Sequence, residues 1–170
     1  EQGRTKPINT LASDIMRKIS RRGKIAGMNP AQFFLEMHMN PERLIHFPFI
    51  KVGNDRVQQI LGINSNYAAY TDIVEPGKGY KLSGMVEKVY AKAPAERDKA
   101  DKAIIKVDER VNICYGLFTG RFLKIFPVKD STTDKWLSPE EASKHTQNTE
   151  DSAFLTNVMG VYFQELQQAK

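Results

Sequence analysis

Leu11, Ile15, Met16 and Ile19 share one face of a stretch running to about Arg22, a spacing that predicts an amphipathic helix. Asn9 or Thr10 is suited to cap it, the arginines and lysine of its last turn suit the negative end of the helix dipole, and Gly23 reads as the stop. Two Asn-Pro pairs follow, Asn29-Pro30 and Asn40-Pro41, each reading as an N-cap with proline at the first helical position, where the missing N–H costs nothing. They predict a helix carrying Phe33, Phe34 and Met37, then a shorter one with Leu44 and Ile45. The run "FPFIKVG" (47–53) is the best strand candidate, with Pro48 pushing it to an edge or a strand start. Asn54 and Asp55 open a helical turn bearing Val57, Ile60 and Leu61, closed by Gly62.

Residues 64–82 are rich in Tyr and Gly, with "EPGKG" as a turn, and 83–91 read as helix again. The longest periodic segment begins at Pro94: Ala100, Ile104, Val107, Val111, Cys114 and Phe118 recur at steps of three and four, a continuous helical seam whose other face is polar. Asp98 and Lys102 have the spacing of a favourable i,i+4 pair. "FLKIFPV" (122–128) predicts an extended exit that would pair with 47–52. Ser138-Pro139-Glu140-Glu141 combines a capping box with an N1 proline and starts a short helix. A last helix carries Leu155, Val158, Met159, Tyr162, Phe163 and Leu166. The sum is a mainly α chain with a small β element, an α+β fold in a single compact helical domain spanning 1–170, with no internal repeat and no evident linker.

Composition changes this picture little: 41% hydrophobic and 26% charged is that of an ordinary soluble globule, and no run approaches the roughly 18 apolar residues that span a bilayer. Charge adds more. Residues 1–24 hold seven bases (Arg4, Lys6, Arg17, Lys18, Arg21, Arg22, Lys24) against Glu1 and Asp14, so the whole net charge of +5 sits at one end and the remainder balances. That end suits phosphates, whether of lipid headgroups or nucleic acid, or else completes a solvated helix terminus. Aromatic side chains are not interleaved with the bases, which counts against stacking on single strands.

Catalytic and metal chemistry is sparse. A single cysteine, Cys114, rules out an internal disulfide and a multi-cysteine metal site, and its place in the apolar seam makes it a structural thiol rather than a nucleophile. His38, His46 and His145 lie far apart. His38 stands between Met37 and Met39, a setting that invites haem or copper ligation, but methionine packing with His38 at the edge is the stronger reading. The carboxylates of Glu96, Asp98, Asp101, Asp108 and Glu109 are interleaved with Lys and Arg as on a solvated face, and "VEPGKGYKL" lacks the P-loop frame.

"GRTKPINTLASDIMRKIS" (3–20), "ERLIHFPFIKVG" (42–53) and "KVDERVNICYGLFTGRFLKIFPV" (106–128) together resemble the extracytoplasmic part of bacterial System II cytochrome c biogenesis proteins, the fused ResB-like and haem-handling membrane proteins. Gly3, Arg4, Lys6, Pro7, Ile8, Asn9, Thr10, Leu11 and Ala12 match a phrase that recurs in that family. The resemblance implies a non-catalytic domain on the periplasmic side of the inner membrane, part of a larger membrane protein that exports haem and attaches it to apocytochromes. Haem would be handled by the parent protein with no cofactor in this domain, and the partners would be the membrane-embedded part, apocytochrome c and anionic lipid headgroups. Trp136 stands alone, so the family's tryptophan-rich segment is not matched, and no haem ligand is carried over. Pro7 holds Lys6 extended ahead of the helix, so Arg4, Lys6, Arg17, Lys18, Arg21 and Arg22 form a candidate docking surface. A plain helix start accounts for the same residues. Phe33, Phe34, Tyr67 and Tyr70 are candidates for an apolar association patch, with core packing the alternative for both phenylalanines. Two other readings stay open: a free-standing enzyme with a site built from distant residues, and a basic nucleic-acid-binding module.

Overall fold

Three helices contribute half of the main buried cluster in the computed structural model, which describes residues 7–127, 136–145 and 152–168. Helix α1 (Ile8–Ser20) packs on α2 (Pro30–Met39), and both lie against α6 (Lys99–Phe118), the 20-residue helix around which the rest is arranged. Each buries the centre of its expected stripe in one cluster: Ile15, Met16 and Ile19 from α1, joined by Ala12 while Leu11 is only partly covered; Phe33, Phe34 and Met37 from α2; and Ile104, Val107, Val111 and Cys114 from α6, whose Ala100 and Phe118 are only partly buried. Burying a single such side chain stabilises the fold by about 1.5–3 kcal/mol.

The cap of α2 follows expectation in detail. The Asn29 side chain accepts the Gln32 N–H, and the Gln32 side chain accepts the Asn29 N–H, both at 3.0 Å. Two features of α1 differ. Its first turn starts at Ile8, with Pro7 outside it and no side-chain cap; the Pro7 carbonyl accepts from Thr10 and Leu11 instead. Its end is not Gly23 but Arg21, which takes the left-handed conformation (φ 61°) while the buried Ser20 hydroxyl accepts the Arg22 N–H. The second Asn-Pro pair yields only one 3-10 turn, Pro41–Arg43, because Asn40 lacks the extended cap geometry and its side chain makes no cap bond.

Strand β1 is two residues, Ile50–Lys51, paired antiparallel with β2 (Tyr67–Ala68). Between them lies α3 (Asp55–Leu61), which starts and ends where expected, its first turn capped by the Asn54 side chain accepting the Val57 N–H. The expected pairing of 122–128 with 47–52 does not form. One edge of β1 is taken by β2, and on the other side the Lys51 carbonyl accepts from the Arg110 guanidinium at 2.5 Å. The exit strand β5 (Phe126–Pro127) instead pairs with β6 (Trp136–Leu137). Helix α4 (Tyr70–Ile73) leads to the hairpin of β3 (Val74–Glu75) and β4 (Gly79–Tyr80), turning at Pro76-Gly77, and then to α5 (Ser83–Ala91).

Pro94 starts only a 3-10 turn, and α6 begins five residues later at a reciprocal cap between Asp98 and Asp101. That cap replaces the expected Asp98–Lys102 pair; Asp101 pairs with Lys92 at 2.7 Å. After β6 the Ser138–Glu141 capping box forms as read and opens α7 (Pro139–His145). Helix α8 (Ser152–Gln168) places Val158, Met159 and Tyr162 on a second, smaller cluster of Phe126, Leu137 and Ala142. The architecture is α-dominant with three small antiparallel strand pairs among the described residues.

Candidate functional site

Helix α6 is two-faced in charge as well as in hydropathy. At 100° per residue, Lys99, Lys102, Lys106 and Arg110 fall within about 80° of arc, while Asp101 and Asp108 point to the far side. The acids are spent there: Asp101 on Lys92, and Asp108 accepting from the Tyr80 hydroxyl at 3.0 Å and the Asn112 amide at 3.2 Å. Burial and the Asp108 carboxylate drive the Tyr80 phenol well above its ordinary range, so it stays a donor. The lysine stripe is left without its share of acid. Together with Lys51 and Asn54 it lines a groove of about 270 Å³, floored by Ala103 and Val107.

Arg110 ties this groove to the end of α1. Its Nε donates to the Lys18 carbonyl at 3.1 Å and its Nη1 to the Lys51 carbonyl, so three chain segments converge on one guanidinium. Burial, and then Arg21 nearby, lower its pKa. Arg22 lies over the Tyr67 ring with Cζ 3.5 Å from the centroid, and Lys51 Nζ is 5.3 Å from the same ring. The exposed bases Arg17, Lys18, Arg21 and Arg22 are thereby brought beside the α6 stripe. Arg4 and Lys6 lie outside the described residues. Sequence reasoning took the charge of 25–170 as balanced and missed Lys51, Lys99, Lys102, Lys106 and Arg110; the 3-4-4 spacing from Lys99 to Arg110 was the available signal.

Of the four residues read as an apolar association patch, the two phenylalanines belong to the core. Phe33 and Phe34 are fully buried, Tyr70 stacks edge-on against Phe118 at 4.9 Å, and Tyr67 is covered by Arg22.

His38 is a packing residue with a defined tautomer. Its Nδ1–H donates to the Leu117 carbonyl at 3.4 Å, which leaves Nε2 to accept from the Tyr162 hydroxyl. The gap beside it, between Phe34, Leu117 and Phe122, has no room for a water molecule. His46 meets the Thr71 hydroxyl at 3.3 Å, and the side chain of His145 lies outside the described residues. No group of three or more His, Cys, Asp or Glu that would hold a metal occurs among the described residues. Cys114 is wholly buried, and burial pushes its thiol far above the ordinary value. In native buffer at pH 8 it is expected to react with a disulfide reagent at least a hundredfold more slowly than after addition of denaturant; equal rates would place it at the surface.

Burial lowers the His38 pKa below 6.5, against the opposing Leu117 contact. The neutral form belongs to the folded state, so this stabilisation is complete above about pH 6.5 and is lost as pH falls from there toward the lowered folded value. Glu141, held near 2 by Lys124 and the Ser138 N–H, adds stability present above its ordinary 4.5 and lost below it toward 2. Acid is therefore expected to weaken the α7–α8 region in two stages, and His38→Gln is expected to remove the upper stage in a titration followed by Tyr162 absorbance or amide exchange. An unchanged upper stage in that variant would assign it to another group.

No protein-family model matches the chain. It is similar to Protein NrfI of Wolinella succinogenes, with 33% identity over 143 residues that make up 84% of this chain and 16% of that protein. The chain thus spans about a sixth of the length of the relative it matches. No helix among the described residues is long and apolar enough to cross a membrane.

Proposed function

We propose that this chain is a non-catalytic module of a larger cytochrome c biogenesis protein, held on the periplasmic side of the bacterial inner membrane. There it would scaffold the membrane-embedded, haem-handling part of the same protein or meet the apocytochrome. The observation that carries this reading is the similarity over 84% of the chain to a protein about five times as long, joined to the resemblance of 3–20, 42–53 and 106–128 to System II proteins. Two further features support it. His38 and Cys114 are absorbed into packing, as suits a scaffold. The exposed bases at the end of α1 form a cationic face suited to anionic headgroups at a membrane surface, where each is worth on the order of 1 kcal/mol.

The test is made in the organism's own gene. Excising residues 8–127 in frame, with accumulation of the remaining protein in the membrane fraction checked by immunoblot, is expected to abolish covalent haem attachment to a reporter bearing Cys-x-x-Cys-His. Full haem staining of the reporter with a stable remainder would overturn the reading. A finer arm neutralises Arg4 and Lys6 together: reduced maturation with normal protein levels supports docking through the amino-terminal stretch, and unchanged maturation rejects that docking.

A further inference from the structure

The groove between β1 and α6 concentrates positive charge in a way that folding alone does not call for. Lys51, Lys99, Lys102 and Lys106 converge on it, and none of the four has an ion-pair partner among the described residues, although several lysines elsewhere on the chain do. Arg110 closes one end, and its half-buried guanidinium sits beside Arg21, a like charge. The exposed acids next to the stripe in sequence are Glu109 at its margin and Asp98 ahead of Lys99, which caps the helix, and neither lines the groove. Like charges gathered in a concave site raise the local concentration of an anion.

The chemistry of the cations selects the kind of anion. Carboxylates are best recognised by the planar fork of arginine, but two donors of Arg110 are already committed to the carbonyls of Lys18 and Lys51. The remaining groups are lysine ammoniums, point charges that suit charge-dense phosphates. Their array is linear: Lys99 to Arg110 runs about 16 Å along the helix, more than one phosphate would fill. Ala103 and Val107 line the groove between the lysines, and no aromatic side chain among the described residues lines it, so it offers no stacking platform for a nucleobase.

We propose that this groove binds the phosphate chain of a small anion carrying two or three phosphoryl groups in series, held by Lys51, Lys99, Lys102 and Lys106 and limited at one end by Arg110. The site stands apart from the maturation role, and neither depends on the other.

Isothermal titration of the 170-residue chain with tripolyphosphate at low ionic strength is expected to show one site whose affinity falls as salt is raised. Changing Lys99→Gln, Lys102→Gln and Lys106→Gln together is expected to weaken binding at least tenfold, with unchanged helical circular dichroism. Changing Lys78→Gln, Lys124→Gln and Lys144→Gln, which removes the same charge from lysines paired with acids, is expected to leave it within threefold. Binding that persists in the first triple variant, or is lost equally in both, overturns the proposal. Inorganic phosphate is expected to bind at least tenfold more weakly than tripolyphosphate; equal affinity overturns the claim of a chain. ATP that binds as tripolyphosphate does supports recognition through the phosphates, whereas binding of ATP alone overturns it. Retention on vesicles containing one-third phosphatidylglycerol that tripolyphosphate fails to displace, with no binding of free tripolyphosphate, assigns the lysines to a membrane surface and likewise overturns it.

Discussion

Phe33→Ala is expected to cost about 3–5 kcal/mol of folding stability, the range for emptying a phenylalanine site in a core that relaxes only in part. Phe33 is wholly buried on α2 and meets Phe49 edge-to-face at 5.3 Å and 72°, just before β1. The helix that carries it is wedged between α1 and α6, so collapse around the cavity would have to move helices that hold the rest of the core. For a chain of this length the loss corresponds to a fall in thermal midpoint of about 2–4 °C per kcal/mol. Urea unfolding should show the midpoint falling with little change in slope. Phe33→Leu, which keeps most of the volume, is expected to cost no more than about 1.5 kcal/mol. A loss below about 1 kcal/mol for the alanine variant would mean that Phe33 is not enclosed as described.

Much of this core was legible before any coordinates. Phe33 and Phe34 follow a proline at N1 and an asparagine that caps, and the apolar seam from Ile104 to Cys114 has a period that only a helix satisfies. Ser138 and Glu141 announced α7 for the same reason: the cap bonds are local, and local bonds leave a local signature. Features set by distant contacts were not legible. Arg21 rather than Gly23 ends α1, although glycine is the residue that reaches a left-handed conformation without strain. At Lys51 the obstacle to the expected strand pairing is a side chain 59 residues away, donated from α6. The site followed the same division. The bases of 17–22 stood out as a run, whereas Lys51 and the stripe from Lys99 to Arg110 merge with them only through the contacts of Arg110 with Lys18 and Lys51. Net charge along a sequence averages over opposite faces of a helix, and α6 separates its lysines from Asp101 and Asp108 by roughly half a turn.

Gly120→Ala is expected to destabilise the protein by about 2–4 kcal/mol, the sum of a left-handed backbone cost and a close contact. Gly120 ends the turn after α6 at φ +66°, and a Cβ there would lie 2.7 Å from His38 Cε1 and 3.2 Å from the Pro139 ring. The imidazole has little freedom to retreat, since Leu117 and Tyr162 hold its two nitrogens from opposite sides. Gly77→Ala separates the two costs, because Gly77 has a similar φ of +78° and nothing within 4 Å of where a Cβ would stand. That variant is expected to lose only about 1–2 kcal/mol, the backbone part. Displacing His38 breaks its hydrogen bond to Tyr162, and Tyr162 also packs edge-on against Phe126 at 5.5 Å in the second cluster. Amide exchange in α8 is therefore expected to accelerate more than in α1 for Gly120→Ala, and equally in both for Gly77→Ala. Equal stability losses in the two glycine variants would show that the His38 ring gives way freely, and with it that the junction of α2, α6 and α8 is loosely made.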